Sequence, residues 1–415
     1  MKILSPLAVS SAAIASALLA FGLQIFLSYN LTKSQFGIFI FLNALLNISI
    51  TGVLFGVQHL WFSSLTSSLE SHVKKIRSSL VILLFVTICF YCLALLFGIS
   101  TSQTSELMDG RVLFQLIFFT YIFGAVAWEL VMLLLDIKQK FLISSFAKIM
   151  PHGLRLLVIS VFIVLTPDYK FIAIGNMIAG LILMILSMIF LQNLIKLNLS
   201  FTVSKLFINF YQSYEVFKES IPYFVHNILW IILMQLPILL SYIFLQDADS
   251  ANTGIAFIIL TGAMLLPSNL ISKYLYPKLS QSDNMYFFYK KSIPWIFGIA
   301  ICFGTALIVV SDFLILNLFP AIYIDSASIL KIFGILIPFK IVTNYLSVFC
   351  ILYKKIFQMN IIYAGIIATQ FLFFYLYSQF DQSFFIHFSF IISEFILLLL
   401  LFYISIFQLS QSKPN

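Results

Sequence analysis

Residues 171–193 read FIAIGNMIAGLILMILSMIFLQN, an apolar stretch that contains no Asp, Glu, Lys or Arg. About 20 apolar residues in an α-helix span the hydrocarbon core of a bilayer. Backbone amides in hydrocarbon must be hydrogen-bonded internally, so a segment that crosses it is either a helix or a strand of a closed barrel. Barrel strands alternate polar and apolar residues over about ten positions, and this stretch does not alternate. It therefore predicts a transmembrane helix.

Similar stretches recur along the whole chain. Of its 415 residues, 62% are hydrophobic and 9% are charged, whereas soluble proteins have about 25% charged residues. Apolar stretches of about 20 residues predict twelve transmembrane helices, at 6–28, 36–60, 79–99, 112–135, 150–166, 171–193, 221–245, 252–272, 293–317, 326–350, 359–378 and 383–408. The first imitates a secretory signal, but further spans follow immediately, so we interpret it as an uncleaved helix. The predicted fold class is an all-α membrane protein.

The basic residues indicate how the chain is oriented in the membrane. With the N-terminus in the cytoplasm, most of the 23 Lys and Arg residues fall in cytoplasmic loops, and the loops on the opposite side hold only Lys33, Arg111 and Lys170. This asymmetry obeys the positive-inside rule and predicts that both termini are cytoplasmic. The formal charge of +8 is therefore a topology signal, and we predict no binding of nucleic acid.

An internal repeat divides the predicted spans into two sets of six. Residues 32–48, TKSQFGIFIFLNALLNI, can be aligned with residues 249–265, DSANTGIAFIILTGAML, so that Gly37 matches Gly254. Because six spans return the chain to the side on which it started, the two copies have the same orientation, a parallel repeat that is typical of transporters. The predicted domains are an N-terminal six-helix lobe, an amphipathic cytoplasmic linker and a C-terminal six-helix lobe, at 1–193, 194–220 and 221–415.

Three short motifs connect the chain with a known family. They are Ser34-Gln35-Phe36-Gly37-Ile38, Thr253-Gly254-Ile255-Ala256 and Leu275-Tyr276-Pro277-Lys278-Leu279. In these motifs, and in its layout of twelve spans in two lobes, the chain resembles the Wzx-type O-antigen or capsule flippases of the multidrug/oligosaccharidyl-lipid/polysaccharide (MOP) exporter superfamily. The resemblance implies a MATE-like fold, a location in the bacterial inner membrane, and transport of undecaprenyl-pyrophosphate-linked glycans by alternating access.

The first predicted helix departs from the drug-exporting branch of that superfamily. That branch carries a cation-coupling acidic residue in this helix, whereas the stretch from Pro6 to Ser28 has none and Gln24 is its only long polar side chain. The difference favours a glycan flippase over a drug exporter of the same fold. Gln24 lies on a face of small and polar residues, where either another helix or a hydrated cavity fits.

Lys340 is the main candidate for binding the anionic headgroup of the substrate. It lies fourteen residues before Lys354, hence roughly 20 Å from that cytoplasmic charge, and charged residues so deep in a span usually face a cavity or a partner. Thr343, Asn344 and Ser347 extend Lys340 into a polar stripe on the same helix. Two interpretations stay open. Either Lys340 attracts the pyrophosphate while the stripe contacts the glycan, or Lys340 forms a structural pair with Glu394 of the last span.

Arg155 is a second cation in the predicted spans, and it follows Pro151 near the start of the fifth. A guanidinium can bind phosphate in a bidentate manner, and snorkelling to the inner headgroups is the alternative. Glu394 shares a helix face with His387, seven residues earlier, which leaves a proton-linked pair open. The predicted substrate-binding residues are Lys340, Asn344, Ser347, Arg155, Glu394 and Gln24.

Loop length favours a transporter over an enzyme. A polysaccharide polymerase or ligase of the same pathway is expected to have a large outer loop with Arg and His, whereas all the predicted loops are short. A nucleotide-binding loop of the form GxxxxGK[ST] is absent, so ATP is not expected to drive transport directly. We predict no catalytic residue, cofactor or metal site, and leave H+ or Na+ coupling open. The expected partners are the lipid-linked glycan, membrane lipids, and polymerase and chain-length regulator proteins.

Overall fold

The computed structural model describes most of the chain, and nearly all of the described part is helical. The described residues are 4–54, 83–96, 108–138, 140–165, 170–195, 210–245, 247–271, 275, 285–353, 355–378 and 387–411. No strand occurs among them. The predicted all-α fold class is confirmed.

The described helices correspond to the twelve predicted spans when two consecutive helices that form one apolar stretch are counted together. They are α1 (Leu4–Asn30), α2 (Lys33–Val53), α3 (Leu83–Leu96), α4 (Met108–Phe119), α5 (Tyr121–Ile137), α6 (Phe141–Leu165), α7 (Lys170–Ile195), α8 (Phe210–Phe244), α9 (Asp247–Leu270), α10 (Met285–Leu318), α11 (Ser326–Leu352), α12 (Ile356–Ser378) and α13 (Phe388–Gln411). Helices α4 and α5 together form one apolar stretch. Counted in this way, 11 described stretches are long and apolar enough to cross a membrane. Helix α3 is shorter and lies within the third predicted span.

Helix α6 begins well before its predicted start. The sequence placed its start near Pro151, but the helix begins at Phe141 and Pro151 lies within it. The polar side chains before Pro151 are accommodated because they bind the end of α5. Ser144 donates a hydrogen bond to Asp136, and Lys148 Nζ lies 3.3 Å from Asp136 Oδ2. Arg155 is therefore in the middle of α6 and not in its first turn.

Two helices are much longer than a membrane requires. Helices α8 and α10 have 35 and 34 residues, whereas about 20 suffice to span the hydrocarbon core. Helix α8 begins at Phe210, inside the predicted linker 194–220. Residues 196–209 of that linker lie outside the described residues, so the predicted domain boundaries stay a prediction.

Contacts divide the chain into two units. Unit 1 comprises Met1–Leu31 with Leu42–Ile231. Within it, α6 packs against α1 and α7, and α7 packs against α4 and α5. A Cβ atom at Gly124 of α5 would collide with the carbonyl group of Gly180 in α7. Glycine at position 124 is therefore what allows these two helices to approach each other so closely.

Unit 2 comprises Thr32–Phe41 with Ile232–Asn415. Its central helix is α11, which packs against α9, α10, α12 and α13. Most side chains of α11 are buried, whereas α10 exposes large apolar side chains such as Trp295 and Phe313. Lipid can surround an exposed apolar face such as that of α10. The polar side chains of a buried helix such as α11 instead face other parts of the protein.

The two stretches that were aligned as an internal repeat meet within unit 2. A Cβ atom at Gly254 of α9 would contact the side chain of Ile40 in α2. Nearby, Phe36 is fully buried against the ring of Tyr323, with ring centroids 5.7 Å apart. The first turns of α2 thus pack with the helices of unit 2, and the rest of α2 belongs to unit 1.

Candidate functional site

Lys340 and Glu394 form a buried ion pair between α11 and α13. Lys340 Nζ lies 3.3 Å from Glu394 Oε2, and the two side chains are 5% and 1% exposed. Thr343 Oγ1 donates a hydrogen bond of 2.8 Å to Glu394 Oε1, so both carboxylate oxygens have a partner. The ammonium also lies 4.0 Å from the sulfur of Met234 in α8. The structure thus brings together two of the predicted site residues.

The two opposite charges of this centre cancel, but burying them costs free energy of hydration. Each charge loses its hydration on burial, and the attraction between the two roughly offsets that loss only when the geometry is good. Glu394 is satisfied at both oxygens, whereas one oxygen and one weakly accepting sulfur serve the three N–H donors of Lys340. The ammonium is therefore the side of the pair that can accept a further partner.

The rest of the predicted polar stripe connects α11 to other helices. Asn344 Nδ2 donates a 3.2 Å hydrogen bond to Ser268 Oγ in α9. Ser347 Oγ lies 2.8 Å from the hydroxyl oxygen of Tyr363 in α12. The stripe therefore links α11 to two neighbouring helices at these positions, and only Lys340 and Thr343 reach Glu394.

Arg155 forms a second polar centre, which lies in unit 1. Its Nε donates to Asn176 Oδ1 at 2.9 Å and its Nη2 donates to Asn43 Oδ1 at 3.0 Å. Its guanidinium carbon lies 4.9 Å from the ring centroid of Tyr121. Arg155 is 6% exposed. Amide oxygens and an aromatic face therefore hold the charge inside the protein.

The Arg155 centre has donors in excess of acceptors. Among the described residues, no carboxylate lies within ion-pair distance of the guanidinium. The amides accept two of its five N–H donors. Asn176 is fully buried, and its Nδ2 has no hydrogen-bond partner in the described part of the chain. A buried positive charge beside an unsatisfied donor is suited to an anionic oxygen.

Sequence reasoning missed the amides that position Arg155. Asn43 and Asn176 are amide residues in predominantly apolar spans, the second of them within the stretch 171–193. Such residues usually have a buried partner. That signal identifies them as polar contacts, but it does not identify Arg155 as the residue contacted.

The remaining predicted residues lie outside these two centres. Gln24 of α1 has a buried side-chain oxygen without a hydrogen-bond partner among the described residues. His387 Nε2 lies 2.9 Å from Thr253 Oγ1 of α9, so the described hydrogen bond of this ring is to α9 and not to Glu394. No group of three or more His, Cys, Asp or Glu residues that could hold a metal occurs in the described residues.

Comparisons with known proteins identify the fold. No family model matches the chain, and no curated protein sequence matches it. Several solved structures do match the chain. The lipid II flippase MurJ in an inward closed conformation matches with a TM-score of 0.70 and 15% identity, over 95% of this chain and 86% of that one. An inward-facing multidrug resistance MATE transporter of the MOP superfamily matches with a TM-score of 0.70 and 12% identity, over 98% of both chains.

The chain has the fold of MATE transporters and MurJ. The MATE-like architecture that the sequence predicted is thereby confirmed. A MOP superfamily transporter from Pyrococcus furiosus, described by the reversed polarity of its binding pocket, also matches, with a TM-score of 0.61 and 12% identity over 99% of this chain and 96% of that one. A shared fold does not by itself assign a function, which has to be argued from the residues of the site.

Proposed function

We propose that the protein is a flippase of the MOP superfamily. It moves undecaprenyl-pyrophosphate-linked oligosaccharide repeat units across the bacterial inner membrane by alternating access, for O-antigen or capsule synthesis. Both termini are cytoplasmic in this proposal. The observation that carries it is the Arg155 centre, in which a buried guanidinium has only neutral partners among the described residues.

The chemistry of the headgroup explains why this observation supports a flippase. A pyrophosphate brings several negative oxygens, and their desolvation is tolerable only beside fixed positive charge. Arg155 offers that charge together with the unsatisfied Nδ2 of Asn176. A guanidinium also matches phosphate oxygens geometrically, because two of its N–H groups point in parallel. Lys340 supplies a second buried cation, an ammonium, for the same class of ligand.

The likeness to MurJ supports a lipid-linked substrate. That protein is named for lipid II. The apolar face of α10, with Trp295 and Phe313 exposed, is compatible with a lipid tail that stays in the bilayer while the headgroup crosses. We infer that the headgroup enters the protein and the prenyl chain does not.

A drug exporter of the same fold is the second candidate. The TM-score of 0.70 to a multidrug MATE transporter equals the value for MurJ, and a cationic drug needs a buried carboxylate. In this chain Glu394 is already occupied by Lys340, and α1 contains no acidic residue. Both observations weigh against a cation site.

Complementation in the host tests the proposal. The gene is deleted, and surface polysaccharide and lipid-linked intermediates are compared after wild type, Arg155→Gln or Lys331→Gln is returned. Lys331 is a suitable control because its pair with Asp312, at 2.8 Å, is 43% and 60% exposed. A flippase predicts loss of surface polysaccharide in the deletion strain, with complete single repeat units on the cytoplasmic face. Arg155→Gln should fail to restore the polysaccharide, and Lys331→Gln should restore it.

Other outcomes identify the rival functions. Single repeat units that reach the outer face but never lengthen would support a polymerase and contradict the flippase. Unchanged polysaccharide together with a new sensitivity to cationic drugs would support the drug exporter.

A further inference from the structure

The Lys340–Glu394 centre is electrically neutral, and this limits how it can bind an anion. Nζ of Lys340 and Oε2 of Glu394 are 3.3 Å apart, and both side chains are almost completely buried. An anionic oxygen that binds Lys340 would share one cation with the carboxylate of Glu394. The centre would then hold a net negative charge while almost fully buried in the protein, an arrangement that strongly disfavours the second anion.

Among the described residues, no second cation lies within ion-pair distance of Glu394. Its described neighbours are Lys340 and Thr343 of α11, and Tyr363 of α12 lies close enough for an electrostatic interaction. The hydroxyl of Tyr363 is hydrogen-bonded to the hydroxyl of Ser347. In the part of the chain that the structure describes, Lys340 alone lies within ion-pair distance of Glu394.

The next groups around the pair do not supply a second positive charge to Glu394. His387 immediately precedes α13, and its ring is hydrogen-bonded to Thr253. Met234 of α8 contacts the ammonium and carries no charge. Neutralisation of Glu394 must therefore come from a proton, because the described residues offer no second counter-ion.

We propose that Glu394 takes up one proton when an anionic ligand binds Lys340. The proton comes from water and converts the carboxylate of Glu394 to a carboxylic acid. Lys340 then donates to the ligand oxygen, and Thr343 continues to donate to the other oxygen of Glu394. The anion and the proton thus bind to the centre together. The coupling is therefore co-binding, as in a symporter, and not exchange, as in an antiporter. The inference rests on the proposed function, since it concerns the anionic headgroup of that substrate.

Calorimetry of the purified full chain in detergent tests the coupling. The probe is farnesyl pyrophosphate, which carries a pyrophosphate group on a short prenyl chain. Titrations at pH 8 in buffers of different ionisation enthalpy give the number of protons exchanged, and this pH is about two units above the second phosphate pKa. We expect an uptake of about one proton per ligand. Affinity should then fall by about tenfold for each pH unit above neutrality.

Three variants locate the proton. Glu394→Gln should bind the probe without proton uptake and without the pH dependence, because its amide is already neutral. Lys340→Met should not bind the probe at this centre. Asp136→Asn is the control, since it removes another lysine-paired carboxylate, Asp136 with Lys148, and should leave proton uptake as in wild type.

The outcomes separate the coupling from the proposed function. Binding of the probe to wild type without proton uptake would overturn the inference and leave the flippase proposal standing. Unaltered proton uptake in Glu394→Gln would overturn it as well. Failure of wild type to bind the probe at all would overturn the proposed function together with the inference. The wild-type buffer series needs no variant to fold, so it decides by itself whether a proton is taken up.

Discussion

The ammonium of Lys340 lies 3.3 Å from the carboxylate of Glu394, although the two residues are 54 positions apart in the chain. Burying two charges costs several kcal/mol per ion, and apolar residues of similar volume often stabilise a protein at least as well as the pair they replace. A contact between α11 and α13 could therefore be made without charges. We infer that the pair serves transport and is replaceable for folding.

Replacing the pair as a unit should separate these two roles. Lys340→Met leaves Glu394 buried without a cation, which should reduce the free energy of unfolding by about 3–5 kcal/mol. The double variant Lys340→Met/Glu394→Gln has no buried charge and should be close to wild type in stability, yet inactive in complementation. Thermal unfolding of the purified proteins in detergent gives the first comparison, and surface polysaccharide gives the second. An active double variant would show that the pair is structural.

Arg155→Lys should be damaging although the charge is kept. Arg155 binds Asn176 through Nε and Asn43 through Nη2, and a single ammonium cannot reproduce that planar fork. Loss of one charged hydrogen bond corresponds to about 1.5–3 kcal/mol, or roughly 10- to 100-fold in ligand affinity. Binding of farnesyl pyrophosphate to wild type and Arg155→Lys checks this expectation. Equal affinities would mean that the fork does not hold the ligand.

Asn176→Asp should neutralise the charge of the Arg155 centre without changing its shape. Asn176 Oδ1 already accepts from Arg155 Nε, and the substitution replaces the orphaned Nδ2 by a carboxylate oxygen. Arg155 then has a counter-ion, so we expect a folded protein that no longer binds the pyrophosphate probe at the Arg155 centre. Asn43→Ala is the comparison, because it removes one acceptor from Arg155 and adds no charge. Full complementation by Asn176→Asp would argue that Arg155 has only a structural role.

The packing of α10 on α11 gives a prediction about stability alone. A Cβ atom at Gly304 would meet the carbonyl oxygen of Gly334 and the ring of Pro338, whereas a Cβ atom at Gly298 of the same helix meets nothing within 4 Å. Gly304→Ala should therefore destabilise unit 2 by about 1–3 kcal/mol through overpacking. Gly298→Ala should be neutral or stabilising by up to about 1 kcal/mol, because alanine favours helix. Equal melting temperatures for the two variants would contradict the described packing.

The sequence by itself predicted the membrane-spanning helices, because the bilayer imposes a length and an apolar composition that can be counted along one chain. It also identified Lys340 as unusual, since a charge in the middle of a span is costly wherever it lies. The boundary of α6 was wrong because Pro151 normally marks a helix start, and the pairing of Lys148 with Asp136 that allows the helix to begin earlier is a tertiary contact.

Only the tertiary structure decided which polar residues meet. Hydropathy gives the depth of a residue and helical periodicity gives its face, but neither says which other helix lies opposite that face. Arg155 therefore could not be connected with Asn43, 112 positions away, and the pair of Lys340 with Glu394 was only one of two interpretations. The partner of a buried charge is set by helix packing, in which small residues such as Gly304 bring particular faces together.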